Sequence, residues 1–147
     1  MGELECLPGN RIYLDTNLFI YAVEEIAPYA EQIRPLLQAA DREEVVLVTS
    51  LLALAETLVM PFRNRDDVLA DTCRELFVRP PTGLRVAQLD AGVLQRAARL
   101  RATLNNLHLP DAIHLATAGS EQCDLVLTNG KRLKGATTVP VVVLAEI

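Results

Sequence analysis

The chain has 147 residues, half of them hydrophobic and only 4% aromatic, with a formal net charge of -5. This length fits a single domain over residues 1–147 with one substantial core, and the scarcity of rings argues against stacking platforms for single-stranded nucleic acid. The acidic balance argues against tight nonspecific binding to polyanions, which needs Lys and Arg on the phosphates, but leaves room for a nucleic-acid substrate bridged by a metal ion.

The three cysteines, Cys6, Cys73 and Cys123, are far apart and lack the paired spacing of a zinc site or disulfide framework. Reduced thiols and a cytoplasmic location are expected. The segment MGELEC is acidic without an apolar core and does not read as a signal peptide. The longest apolar region, Val45 to Met60, is interrupted by Thr49, Ser50, Glu56 and Thr57, so strand then helix is expected there and not a membrane span.

In chain order, residues 11–15 (RIYLD) read as a strand, and NLFIYAVEE as a short helix with Asn17 a candidate cap. Pro28 to Ala40 carries the helical stripe Ile33, Leu36, Leu37 and Ala40. VVLVT at 45–49 is the β-branched run of a strand buried on both faces; Ser50 then caps a helix ending near Pro61. Asp66 to Phe77 is helical by the spacing of Val68, Leu69, Cys73, Leu76 and Phe77. PPTG at 80–83 is a break. After LRVAQL, Asp90 caps a helix carrying Val93, Leu94, Ala97, Leu100 and Leu104. NNLHLP connects to a helix over DAIHLATAGSE, whose Pro110 suits a first turn. DLVLT at 124–128 and VPVVVL near the end are short strands. Strands alternating with helices imply a three-layer α/β/α fold around a mostly parallel sheet of four to five strands, with its ligand site beyond the carboxyl ends of the strands.

Three carboxylates stand out. Asp15 ends an apolar strand. Glu56 has Leu52, Ala53, Val59 and Met60 as its helical neighbours, a setting in which an unpaired ionised carboxylate costs several kcal/mol. Asp111 opens a helix, with His114 three residues on. Each has a structural explanation: a strand-closing turn for Asp15, a partner such as Arg79 or Arg85 for Glu56, and a favourable helix dipole for Asp111. The α/β layout nevertheless brings all three to one sheet edge. Within ~5 Å of one another they would repel by ~3 kcal/mol per pair at an effective dielectric of ~20. A divalent cation relieves this, and oxygen ligands alone favour Mg²⁺ or Mn²⁺ over Zn²⁺.

YLDTNLFIYA (13–22), LALAETL (52–58), LHLPDAIHLATA (107–118) and DLVLTNGKRL (124–133), in this order and spacing, resemble the PIN domain family, and within it the VapC-type toxins of toxin–antitoxin pairs. The resemblance implies a Mg²⁺-dependent ribonuclease whose acids match Asp15, Glu56 and Asp111. Thr16, Asn17 and Thr128 match the family's supporting polar positions. A fourth acid is implied where this chain has Gly130. Asp124 starts its strand and Glu121 ends a helix, both at the opposite edge, so neither substitutes, whereas Asn129 could offer a neutral oxygen. The resemblance further implies cleavage leaving a 3'-hydroxyl and a 5'-phosphate, a homodimer, to which the apolar helices of residues 17–40 could contribute, and a small antitoxin covering the acidic pocket with a basic side chain.

Basic residues that could guide RNA are Arg63, Arg65, Arg96, Arg99, Arg101, Lys131, Arg132 and Lys134; Lys131 and Arg132 stand out because their loop follows a strand at the acidic edge. His114 reads as a helix-face residue hydrogen-bonded near the site and not as a ligand. Two other readings stay open. A catalytically weakened PIN domain would bind RNA or a protein. A haloacid-dehalogenase-like hydrolase would use Asp15 as nucleophile, but its usual second aspartate is absent at position 17 and no acidic metal motif follows Lys131.

Overall fold

A computed structural model describes residues 10–136 and 139–147. The segment MGELEC, with Cys6, lies outside these residues. Five strands run β1 (Arg11–Leu14), β2 (Val46–Ser50), β3 (Leu84–Ala87), β4 (Leu125–Thr128) and β5 (Val141–Val143). Six α-helices accompany them: α1 (Thr16–Val23), α2 (Tyr29–Asp41), α3 (Leu51–Arg63), α4 (Asp67–Val78), α5 (Ala91–Thr103) and α6 (Leu109–Ser120). The strands form one sheet in the order β3-β2-β1-β4-β5, with every pairing parallel. Among the described residues no helix is long and apolar enough to cross a membrane.

Alternation along the strands divides the interior into two cores. Ile12, Leu14, Leu47, Leu125 and Leu127 point to one face, under Leu18 and Phe19 of α1, Ile33 and Leu36 of α2, Ala53 of α3 and Phe77 of α4. Tyr13, Val48 and Val126 point to the other, under Val93 and Ala97 of α5 and Ala112, Leu115 and Ala118 of α6. This is the three-layer α/β/α arrangement, in which β1 and β4 are covered on both sides and read as continuous apolar runs.

Several boundaries differ from the sequence reading. The first helix is capped by Asp15, not Asn17, and begins at Thr16. Helix α3 runs past Pro61 to Arg63; the proline falls in the last turn and is buried, so packing offsets the backbone hydrogen bond it cannot donate. LRVA forms the edge strand β3, with Leu84 opposite Leu47. Its entry requires Gly83, whose φ is +87° and where a Cβ would lie 2.3 Å from the carbonyl oxygen of Ala40. The apolar stripes of α1 and α2 are spent on the core and are not the free surface expected for a dimer. Large exposed apolar side chains lie instead on α3 and around α4, at Val59, Met60, Phe62, Val68 and Val78.

The sheet has an electrostatically distinct amino edge. Asp124 accepts from the backbone N–H groups of Asn10 and Arg11, both at 2.9 Å. Glu121 accepts from Arg85 Nε at 2.7 Å and from Arg11 Nη2 at 3.2 Å. The Arg85 hydrogen bond outweighs burial, and with the charges of Arg85 and Arg11 it holds the Glu121 carboxyl below the ordinary carboxylate range. A carboxyl depressed in the folded state stabilises above its unfolded pKa, and that contribution is lost as pH falls through the folded value. Glu121→Gln should therefore cost about 1 kcal/mol at neutral pH. In urea denaturation the difference from the unmodified protein should vanish once the pH is below the carboxylate range; a pH-independent difference would contradict this.

Candidate active site

The carboxyl edge is built around the point where β1 becomes α1. The Asp15 N–H donates to the carbonyl of Leu127 at 3.0 Å, tying the residue to β4. With φ -69° and ψ 159° it is still extended, and Oδ1 caps α1 by accepting from Thr16 N at 2.8 Å. Oδ2 accepts from Thr128 Oγ1, at the end of β4, at 2.6 Å. Asp15 is thus both turn residue and oriented carboxylate, because the chain passes from strand to helix without a loop.

Glu56 reaches the same place from α3. Its neighbours Val59 and Met60 face outward, so its surroundings are less enclosed than the sequence suggested. Arg79 and Arg85 pair with Glu75 and Glu121 and not with Glu56. Oε1 accepts from Thr16 Oγ1 at 2.7 Å and lies 2.6 Å from His114 Nε2. Burial pushes the Glu56 carboxyl up, but the His114 hydrogen bond and charge and the Thr16 hydrogen bond outweigh it, and the net direction is down.

His114 is only 1% exposed, held between α6 and the sheet. Its Nδ1 lies 2.6 Å from the hydroxyl of Tyr13, whose ring packs edge-on against the imidazole at a centroid distance of 5.7 Å. Burial drives the Tyr13 phenol well above its ordinary pKa, so it keeps its proton. The Glu56 carboxylate oxygen can only accept, so Nε2 carries a hydrogen toward it, while the Tyr13 hydroxyl partners Nδ1. Two donors thus engage Oε1, while Oε2 has no hydrogen-bond partner among the described residues. Tyr13 is the one participant that the sequence reading missed. The signal was a tyrosine in a core-facing strand position, where its hydroxyl needs an internal partner.

Asp111 lies in the first turn of α6. Its Oδ2 accepts from the N–H of His108 at 3.3 Å, helping to cap the helix, and pairs with Arg132 Nη2 at 3.3 Å. Asp15, Thr16, Asn17, Ile20, Glu56, Asp111, Gly130 and Arg132 line one cavity of about 270 Å³. Asn129 is not part of this lining: its amide donates to Tyr21 OH at 3.1 Å and its oxygen accepts from Ala145 N at 2.9 Å, so it ties β4 to α1 and the C-terminal segment. Gly130 donates its N–H to Thr128 Oγ1 at 2.9 Å. A Cβ at Gly130 would make ordinary contact, 3.4 Å from that oxygen, so space for a side chain remains.

Of the basic residues, Arg132 reaches the cavity lining, whereas Lys131 is exposed outside it and Lys134 pairs with Glu146 at 2.6 Å. Arg96 and Arg99 line a separate groove of about 640 Å³ between α5 and α6.

Among the described residues, no three of His, Cys, Asp and Glu are arranged to hold an ion between them. The tight three-acid cage expected from the sequence is therefore not preformed. What the cavity offers is an open set of oxygen donors, including the uncommitted Oε2 of Glu56 and Oδ1 of Asp111. That chemistry suits a hard cation such as Mg²⁺, which keeps several waters and takes one or two carboxylates directly.

Residues 12–138 match the PIN domain family model, and the chain belongs to the PIN domain family. Its fold is shared with VapBC2 from Rickettsia felis, solved bound to a promoter DNA fragment (TM-score 0.68, 17% identity, 90% of this chain and 97% of that one). A toxin–antitoxin complex from Klebsiella pneumoniae is similar over 92% of this chain and 99% of that one (TM-score 0.66, 23% identity). So is Mycobacterium tuberculosis VapC20, described as a toxin cleaving the sarcin-ricin loop (TM-score 0.64, 18% identity, 78% of this chain and 86% of that one). At these identities the likeness is one of fold. No curated protein matches the chain significantly in sequence.

Tyr13→Phe deletes one hydroxyl and leaves His114 Nδ1 buried without a partner. A loss of about 1–3 kcal/mol is expected for such a group. Urea denaturation at unchanged slope measures it, and a loss below about 0.5 kcal/mol, the usual range for surface changes, would remove the hydroxyl from this account.

Proposed function

We propose that the chain is a Mg²⁺-dependent endoribonuclease, the toxin of a toxin–antitoxin pair acting in the cytoplasm. The observation that carries this is the convergence of Asp15, Glu56 and Asp111 on one cavity at the carboxyl edge of a PIN-family sheet. The free, buried thiols of Cys73 and Cys123 suit a reducing compartment.

When bound, Mg²⁺ or Mn²⁺ supplies positive charge to a scissile phosphodiester and lowers the pKa of a nearby water. The residues of the chain do the positioning. Thr128 and the Thr16 N–H fix the two oxygens of Asp15. Thr16 Oγ1 and His114 fix Oε1 of Glu56, which leaves Oε2 for the ion or its water. Asp111 borders the cavity from the opposite layer. In the hydrolysis, a water oxygen bonds to phosphorus as the bond from phosphorus to O3' breaks. One carboxylate of the set takes the water proton, O3' leaves with the bonding electron pair and picks up a proton from solvent, and the products are a 3'-hydroxyl and a 5'-phosphate.

The toxin–antitoxin names of the fold relatives support a small antitoxin as partner. Homodimer formation belongs to the same reading, and the exposed Val59, Met60 and Phe62 on α3 offer apolar surface for it. The second reading, a weakened PIN domain that binds RNA or protein, is favoured by Gly130 and by the absence of a preformed cage among the described residues. A panel of RNAs incubated with Mg²⁺ separates the two. Cleavage is expected with Mg²⁺, none with chelator, and roughly 100-fold less or lower still with Asp15→Asn, the scale typical of losing a group that stabilises transition-state charge. Cleavage surviving Asp15→Asn would move the active site elsewhere; no metal-dependent cleavage of any RNA would favour the binding module.

A further inference from the structure

Arg132 is the basic side chain that lines the acidic cavity. It projects from a short 3-10 turn, Lys131–Leu133, anchored by Leu133, which is 1% exposed in the α5/α6 core. A second tie follows at once, from Lys134 to Glu146. With these ties after it and the Gly130 N–H bonded to Thr128 Oγ1 before it, Arg132 lines the cavity and rests on Asp111 Oδ2 at 3.3 Å.

The Arg132 side chain is 53% exposed and Asp111 17%. An ion pair this open is worth only about 0–1 kcal/mol. It orients Arg132 without locking it. The contact uses one nitrogen at 3.3 Å, although a guanidinium has five N–H donors in a fork that matches two oxygens of a phosphate better than one of a carboxylate. A cation arriving at Asp111 meets the charge of Arg132, whereas a phosphodiester in the cavity brings the negative charge that draws Arg132 off.

We propose that Arg132 is the phosphate-binding residue of this cavity, resting on Asp111 in the free protein and transferring to a nucleic-acid phosphate on binding. Substrate thereby lifts the Arg132 charge from Asp111 Oδ2, beside the already uncommitted Oδ1. By linkage, metal and phosphate then assist each other's binding equally. This rests on the reading of the cavity as a metal and phosphodiester site.

The test uses the full chain and two binding measurements, neither of which needs turnover. In the first, Mn²⁺ alone is titrated and followed by electron paramagnetic resonance. Arg132→Ala should bind Mn²⁺ roughly two- to fivefold more tightly than the unmodified protein, since a competing cation has gone. Arg34→Ala, which removes the same charge from the exposed side of α2 outside the cavity, should change it by less than about 1.5-fold at physiological ionic strength. In the second, a short fluorescein-labelled RNA is bound in Ca²⁺ and followed by anisotropy. Here Arg132→Ala should weaken binding by roughly five- to tenfold, the loss of one charge-assisted pair. Opposite signs in the two measurements support the exchange. Unchanged or weaker Mn²⁺ binding in Arg132→Ala, or unchanged RNA binding, overturns it. No Mn²⁺ binding by either protein overturns it together with the metal reading. If both effects appear but no RNA is ever cleaved, the ribonuclease reading fails and the role of Arg132 stands.

Discussion

The junction between β1 and α1 is the constraint on which the rest of the site depends. Asp15 belongs to both elements: its N–H continues the ladder to β4 while its Oδ1 caps the helix that follows. A backbone tied at both ends cannot swing, so the carboxylate is delivered to the sheet edge in one orientation. Thr128 Oγ1, presented by the neighbouring strand, takes the second oxygen. Burial of this group, 9% exposed, is tolerated because its hydrogen bonds are supplied by elements that the parallel sheet already holds in register.

A second constraint crosses the sheet. The two cores lie on opposite faces, yet Tyr13, His114, Thr16 and Glu56 link β1, α6, α1 and α3 through one hydrogen-bonded chain around the end of the central strand. Tyr13 holds His114 through Nδ1, His114 directs one oxygen of Glu56, and Thr16 completes it. Hydrogen-bonded networks of this kind rigidify and specify a geometry. The consequence for function is that Asp15 and Glu56 are oriented before any ion or substrate arrives, while Asp111, tied to a helix cap and to a half-exposed arginine through Oδ2, keeps Oδ1 uncommitted.

Much of this was legible in the residues. VVLVT announced a strand buried on both faces and DLVLT a short strand, Ser50 and Asp90 announced helix caps, and the order of strands and helices implied the layers; each is a local signal with a local cause. What the sequence left open depended on tertiary contact. The strand β3 is an edge strand with Arg85 in its middle, and it is defined by pairing with β2 more than by its own pattern. The apolar stripes of α1 and α2 looked free because periodicity shows that a face is buried without showing against what. Among the site residues, Asp15 and Glu56 could be singled out as carboxylates in apolar company, but Glu56 was given a more enclosed setting than it has. The engagement of Asn129 with Tyr21 and Ala145 involves partners more than a dozen residues away, which no spacing rule reaches.

The central claim is that Asp15, Glu56 and Asp111 jointly attract a divalent cation to the carboxyl edge, while Glu121 and Asp124 do not: both Glu121 oxygens are taken by Arg85 and Arg11, and Asp124 Oδ2 already accepts two backbone N–H groups. Anomalous scattering from crystals soaked in Mn²⁺ tests it most directly. A peak in the cavity bounded by the three carboxylates, and none beside Glu121 and Asp124, is the predicted result; an empty cavity at saturating Mn²⁺, or a peak at the amino edge alone, would contradict the account.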